Sequence, residues 1–172
     1  MTSAIDARAR HAAPRLTARW LAALVTVLAA APAGCATSAG TSGGPAARPP
    51  VIMARQLPVV GTVLVNGWGY ALYMFVPDAR HRVTCTGGCA AAWPPVMLPA
   101  GSAPKAGPGA RAALLGSDPD PSGGRVVTYR GWPLYTYAGD AWPGHATGQG
   151  LNLDGGRWYV VRPSGTPVES AP

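Results

Sequence analysis

Leu72-Tyr73-Met74-Phe75-Val76-Pro77-Asp78 is the stretch that decides the fold, because it returns as Leu134-Tyr135-Thr136-Tyr137-Ala138-Gly139-Asp140. The offset between the copies is constant, the same from Tyr73 to Tyr135 as from Asp78 to Asp140. Side chains alternate between the two faces of an extended chain, so Tyr73 shares a face with Phe75, and Tyr135 with Tyr137. Asp78 and Asp140 then fall just past the strand ends, where Val76-Pro77 and Ala138-Gly139 turn the chain. One reading makes each motif a ligand site, an aromatic edge beside a carboxylate. The other packs Tyr73 and Tyr135 in the core and has Asp78 and Asp140 accept turn N–H groups. Leu-Tyr-x-aromatic is the pattern of a half-buried strand, which favours the structural reading.

The flanking sequence repeats the same plan. The run Val59-Val60-Gly61-Thr62-Val63-Leu64-Val65 ends at Asn66-Gly67, and the strand from Tyr70 to Phe75 follows. Asn-Gly suits turn positions with φ > 0, so a hairpin is expected there. Arg125-Val126-Val127-Thr128-Tyr129 runs into Arg130-Gly131-Trp132-Pro133 and then the second aromatic strand. Asp154-Gly155-Gly156 before Arg157-Trp158-Tyr159-Val160-Val161 is a further turn and strand. Between the copies, the connection from Leu98 to Gly124 is rich in Pro and Gly.

With two Tyr-x-[Phe/Trp/Tyr]-x-x-Asp motifs, one after each turn, the chain resembles the bacterial secreted-repeat lipoproteins. Cys85-Thr86-Gly87-Gly88-Cys89, the following Ala-rich stretch and Trp93-Pro94-Pro95 are similar to that family's Cys…Cys-Ala-x-x-Trp-Pro-Pro segment. Residues 144–150 and 158–165 look like its closing segment. The resemblance covers roughly residues 58–165. It implies an envelope location and a repeat fold, and it lends no catalytic residues, because the family has no established activity.

The beginning of the chain reads as an export signal. Arg8, Arg10, Arg15 and Arg19 precede the uncharged apolar stretch 20–31, which is too short for a bilayer span of about 20 residues. Ala31-Pro32-Ala33 suits ordinary signal peptidase, and Ala33-Gly34-Cys35 resembles the end of a lipobox, with Pro32 where Leu is usual. Cysteine parity favours the lipobox. The chain has three Cys, so lipidation of Cys35 leaves Cys85 and Cys89 as an even pair. Residues 36–50 are small, polar and rich in Pro and Gly, which makes a tether with a root-mean-square reach of about 20 Å.

Outside the cytosol, a disulfide between Cys85 and Cys89 is the default expectation. So short a loop contributes about 2 kcal/mol or less to stability. The alternative is a Cu or Zn site, since His81, Cys85 and Cys89 offer an imidazole and two thiolates. Free or redox-active thiols are the remaining option. Five tryptophans follow the tether (Trp68, Trp93, Trp132, Trp142 and Trp158), several beside Gly or Pro. They either cover a small core or stack on sugars, and a domain of this size needs the cover.

Composition narrows the function classes further. From Cys35 onward ten basic residues stand against six acidic ones, scattered and without a Lys/Arg block. Nucleic-acid binding needs a clustered basic face, so no nucleic-acid partner is expected. Gly-x-Ser-x-Gly, phosphate-binding Gly loops and His-Glu-x-x-His do not occur, and Glu169 is the one Glu. Asp118-Pro119-Asp120 is too sparse for a calcium loop. No enzyme activity and no cofactor are expected.

The resulting expectation is an all-β domain, a small antiparallel hairpin or meander of two pseudo-repeats. A signal peptide (1–34) and the Cys35 anchor with its tether (35–50) precede it. The β-rich domain (51–166) contains repeats at about 58–97 and about 123–165, and a disordered tail (167–172) follows. The expected function is a non-catalytic binding or structural role in the cell envelope. The membrane is the expected partner through the lipid anchor, with an envelope polymer or protein as a further one. The expected location is the outer face of the cytoplasmic membrane, with secretion as the alternative. Two other functions stay open: redox or metal handling through His81, Cys85 and Cys89, and glycan binding through exposed Trp.

Overall fold

The computed structural model describes residues 48–169, and these form an all-β unit with one short helix. The expected signal peptide (1–34), Cys35 and most of the expected tether lie outside the described residues. β1 (Val51–Leu57) pairs antiparallel with β2 (Gly61–Asn66), and the tight connection 58–60 closes the hairpin at Leu57 opposite Gly61. The strand expected to begin at Val59 therefore begins at Gly61, and Val59 stands exposed on the turn with φ 69°. β3 (Tyr73–Phe75) is buried throughout and runs into a single 3₁₀ turn, Val76–Asp78, with Pro77 at its start.

The helix α1 (Gly88–Ala92) leads to β4 (Met97–Leu98). β5 (Lys105–Ala106) lies parallel to the start of β1. β6 (Leu115–Pro119) pairs along its length with β7 (Arg125–Tyr129), which turns back into β8 (Trp132–Pro133). β9 (Asn152–Leu153) and β10 (Gly156–Val160) form the last hairpin.

Two of the three expected turns take the mirror-image type I′ form. Arg130-Gly131 has φ of 53° and 80°, and Asp154-Gly155 has 54° and 85°. Positive φ at both central residues matches the right-handed twist of the flanking strands. The third turn differs. Gly67 does not adopt positive φ, whereas Gly69 does, at 89°. Asn66 Oδ1 accepts the N–H groups of Trp68 and Tyr70, both at 3.0 Å, and holds open a wider loop. Beyond it, only the bridge Val65–Ala71 and the bond from Leu72 N to Leu64 O join the two runs. The full partner of β2 is β1, and that of β3 is β10.

A pseudo-twofold relation organises the remainder. Leu64, Leu72 and Val161 close a ring of three backbone hydrogen bonds (2.7 to 3.1 Å), and Val127, Leu134 and Val96 close the same ring in the other half. At the centre, Tyr73 and Tyr135 exchange both backbone bonds, at 2.9 and 3.0 Å. The halves are interlocked. β10, at the end of the second copy, pairs with β3 of the first, with Trp158 opposite Phe75. Conversely, residues 92–96 of the first copy run against 134–138 of the second, with Val96 N to Leu134 O and Thr136 N to Pro94 O both 2.9 Å.

Both faces of this central layer are buried. Tyr73, Phe75, Val63 and Val65 point into one apolar cluster, and Leu72, Met74 and Leu64 into the other. This is the period-two alternation of a strand with core on both sides.

Two differences from the sequence expectation concern connecting segments. The stretch between the copies contributes β6, which gives β7 the edge partner that β1 gives β2. Pro167 and Val168, expected in a disordered tail, are ordered. Pro167 bridges Val161, Val168 N–H donates to Val160 O at 3.0 Å, and the Val168 side chain is fully buried. An apolar residue that fills the end of the aromatic cluster gains more from burial than its short segment loses in freedom.

Two glycine substitutions test this packing. A Cβ on Gly148 would lie 2.7 Å from the Trp93 ring, so Gly148→Ala is expected to lower stability by about 1–3 kcal/mol through overpacking. Gly88 opens into free space within α1, so Gly88→Ala is expected to raise stability by about 0.5–1 kcal/mol. Urea denaturation reads both.

Candidate functional site

The two copies meet through their own motifs. Tyr73 Oη donates to Asp140 Oδ2 at 2.6 Å, and Tyr135 Oη donates to Asp78 Oδ2 at 2.5 Å. The pairing is crossed: each phenol finds the carboxylate of the other copy, and all four residues are buried. The remaining carboxylate oxygens are used in the same way in both halves. Asp78 Oδ1 accepts from Thr84 N (2.7 Å) and Thr84 Oγ1 (2.6 Å), and Asp140 Oδ1 accepts from Thr147 N and Oγ1 at the same distances. Gly148 N–H adds a longer bond, 3.3 Å, to Tyr73 Oη.

A carboxylate removed from water is costly unless donors replace the water it loses. Here three protein donors do so for each, and among the described residues no cation pairs with either. Burial pushes the proton affinity of both phenols far above the ordinary tyrosine range, and the hydrogen-bonded carboxylate raises it further. The proton therefore stays on each tyrosine. Both oxygens of each carboxylate accept from donors of the protein itself, so the four residues lock the copies together.

Aromatic rings fill the space beside the crossed pairs. Phe75, Trp158, Trp93 and Tyr137 form one column, with successive centroids 4.2, 3.9 and 4.1 Å apart. The two central indoles are parallel to within 1°. Tyr73 meets Trp93 edge-on at 5.4 Å, and Tyr135 meets Trp158 at 5.2 Å, both favoured geometries for aromatic pairs. Trp158 Nε1 donates to Leu153 O at 3.3 Å, whereas the buried Trp93 Nε1 has no partner.

The six motif residues, Tyr73, Phe75, Asp78, Tyr135, Tyr137 and Asp140, thus converge on one buried centre. The alternation of the strand pointed to the burial. Three other features were not found in the sequence: the crossing, the roles of Thr84 and Thr147, and the Trp93–Trp158 stack. A signal existed, since Thr147 follows Thr84, and Trp158 follows Trp93, at almost the offset that separates the motifs. In each case a slightly longer spacing concealed the correspondence.

Cys85 and Cys89 are joined by a disulfide with Cα atoms 5.2 Å apart, and Cys85 is buried against the aromatic cluster. In this form the alternative metal site lacks both its thiolates. Its third ligand, His81, is turned to Asp118, with Nδ1 3.2 Å from Oδ2. No group of three His, Cys, Asp or Glu that could hold a metal ion occurs among the described residues. The disulfide fixes the loop between Thr84, which caps Asp78, and Trp93.

The tryptophans divide by role. Trp93 and Trp158 are core, Trp132 packs half-buried on the second cluster, and Trp68 and Trp142 are exposed. Two open grooves lie on the surface. One, of about 500 Å³, is lined by Val59, His145, Thr147 and Gln149, and the other, of about 270 Å³, by Arg48, Pro50, Trp68 and Met97.

A family model described as a secreted repeat of unknown function matches the chain twice, over residues 58–97 and 118–162. The chain belongs to the secreted-repeat family. Each matched segment contains one complete set of crossed-lock residues: Tyr73, Asp78, Thr84 and Trp93 in the first, and Tyr135, Asp140, Thr147 and Trp158 in the second. In this chain each secreted repeat is therefore half of an interlocked unit, and each half is completed by the other. No curated protein and no solved structure matches the chain. Among the described residues, no helix is long and apolar enough to cross a membrane.

The lock is testable by mutation and by pH. Tyr73→Phe leaves Asp140 Oδ2 buried without its donor, and Tyr135→Phe does the same to Asp78. Each is expected to cost about 1–3 kcal/mol, nearly equally, in equilibrium unfolding. At alkaline pH the phenols themselves respond. Both tyrosines hold their protons more tightly folded than unfolded, so their contribution is complete below about pH 10 and is lost as pH rises beyond it. The expected slope is about 1.4 kcal/mol per pH unit for each tyrosine, and Tyr73→Phe removes about half of it.

Proposed function

We propose that this chain is an exported, lipid-anchored cell-envelope protein. Its two interlocked repeats form a rigid, non-catalytic module with a binding or structural role. The observation that carries the reading is the internal use of the motif. Tyr73, Tyr135, Asp78 and Asp140 are satisfied by one another and by Thr84 and Thr147, in the interior. A catalytic or ligand-reading pair of carboxylates needs an oxygen open to substrate.

Three features support the envelope setting: membership of the secreted-repeat family, a Cys85–Cys89 disulfide suited to an oxidising compartment, and the export pattern of the segment before Cys35. Lipidation of Cys35 would leave no unpaired thiol in the mature chain. Anchored by more than one acyl chain, it would hold to the membrane stably.

The intact mass of the protein recovered from its native host tests this directly. The expected species begins at Cys35, carries acyl groups on it, and lacks two hydrogens for the disulfide. A mature chain beginning at Gly34 without acylation would replace the anchored reading with a secreted one. Full-length chain retaining residues 1–34 in the cytosol would overturn both.

A further inference from the structure

Large aromatic side chains in a small β domain are normally spent on the core, as Trp93 and Trp158 are. Trp68 and Trp142 are not: they are 78% and 67% exposed. Their loops are nonetheless fixed. Asn66 Oδ1 holds the N–H groups of Trp68 and Tyr70, and Gly144 N–H donates to Gly69 O at 3.1 Å. The turn that carries Trp68 is thereby tied to the loop that carries Trp142.

Arg55 lies across the junction. A Cβ on Gly69 would come within 2.7 Å of Arg55 Nη1 and 3.3 Å of Pro143 Cβ. Arg55 is exposed and has no carboxylate partner, the one ion pair among the described residues being His81–Asp118. On the adjoining loop, Val59 is 76% exposed and shares a groove with Gly144 and His145. The face therefore combines two exposed indoles on backbone-tied loops, an aliphatic side chain and a guanidinium with no carboxylate partner among the described residues.

The chain also reaches the domain at this place. Arg48 and Pro50 line the same groove as Trp68, so the polypeptide arriving from Cys35 joins the fold beside that tryptophan. The tether 36–50 between Cys35 and Val51 has a root-mean-square reach of about 20 Å. Resting on the lipid-anchored reading above, this puts the Trp68 end of the domain nearest the bilayer.

We propose that Trp68, Trp142 and Arg55 form a docking face for an anionic membrane surface. Indole rings partition to the headgroup level, where the apolar body is sheltered and the N–H stays wet. Arg48 and Arg55 supply the charge that anionic headgroups attract. The acyl anchor retains the protein, and this face sets its orientation, laying the domain against the bilayer. A sugar-stacking platform would use the same rings. The unpaired cation and the arrival of the tether beside Trp68 favour the membrane.

The test uses the mature chain with Cys35→Ser, exported behind a conventional cleavable leader so that no acyl chain is present. It is floated with vesicles of phosphatidylglycerol and phosphatidylcholine, and with phosphatidylcholine alone. Binding to the anionic vesicles, weakened by salt, is expected, together with quenching of tryptophan emission by brominated lipid. Trp68→Ser/Trp142→Ser and Arg55→Gln should each reduce the partition coefficient by about fivefold or more. An unchanged near-ultraviolet spectrum of the Trp93–Trp158 stack shows that the variants remain folded. Failure of the unacylated chain to bind anionic vesicles overturns the proposal, as does binding by the folded double variant equal to that of the parent. An emission shift with soluble wall polysaccharide but not with vesicles overturns it in favour of a glycan. The mass of native Cys35 is read separately, so loss of the anchor reading and loss of the docking face are distinguishable.

Discussion

Asp78 and Asp140 are the most deeply buried carboxylates among the described residues, neither has a cation beside it, and the centre of the fold is arranged around keeping them supplied with hydrogen bonds. Asp78 and Asp140 each take two donors from a threonine in their own copy and a third from a tyrosine in the other. The third donor makes the repeat obligatory. A lone copy would carry a buried carboxylate short of one bond and a phenol with nothing to donate to. Both deficits cost free energy in proportion to how dry the site is. Strand exchange follows from the same need, since only crossing brings Tyr73 and Tyr135 within reach of the opposite aspartates.

The aromatic column provides that dryness. Phe75, Trp158, Trp93 and Tyr137 stack across the pseudo-twofold relation, and the tyrosines of the lock press their edges against the two indoles. The rings exclude water from the hydrogen bonds, and the hydrogen bonds fix the loops from which Trp93 and Trp158 extend. Each half of the arrangement requires the other. The centre is fully committed to its own cohesion, and the exposed tryptophans Trp68 and Trp142 and the open grooves lie at the periphery.

Much of this was legible in the chain because it depends on local pattern. The alternation in Leu72-Tyr73-Met74-Phe75 places neighbours on opposite faces wherever the strand lies, and the structure puts Leu72 and Tyr73 in different clusters. Arg130-Gly131 and Asp154-Gly155 form tight turns because the second residue of each accepts positive φ without strain. Asn66-Gly67 misled, because the Asn66 side chain captured two N–H groups and moved the positive φ to Gly69. The tail at Pro167 and Val168 misled for another reason. Nothing in its composition reveals that a buried space awaits Val168.

The amino-acid sequence by itself determined the all-β class, the duplication of the motif at a constant offset, and the burial of the tyrosines. These follow from side-chain alternation and turn chemistry acting over short stretches. Only the tertiary structure decided which tyrosine meets which aspartate, that Trp93 and Trp158 stack on one another, and which tryptophans remain in water. Those outcomes depend on contacts between residues far apart along the chain, and the spacing of identical motifs does not distinguish pairing within a copy from pairing across copies. The choice was made by geometry: two strands that exchange backbone bonds at Tyr73 and Tyr135 point each phenol away from its own carboxylate and toward the other.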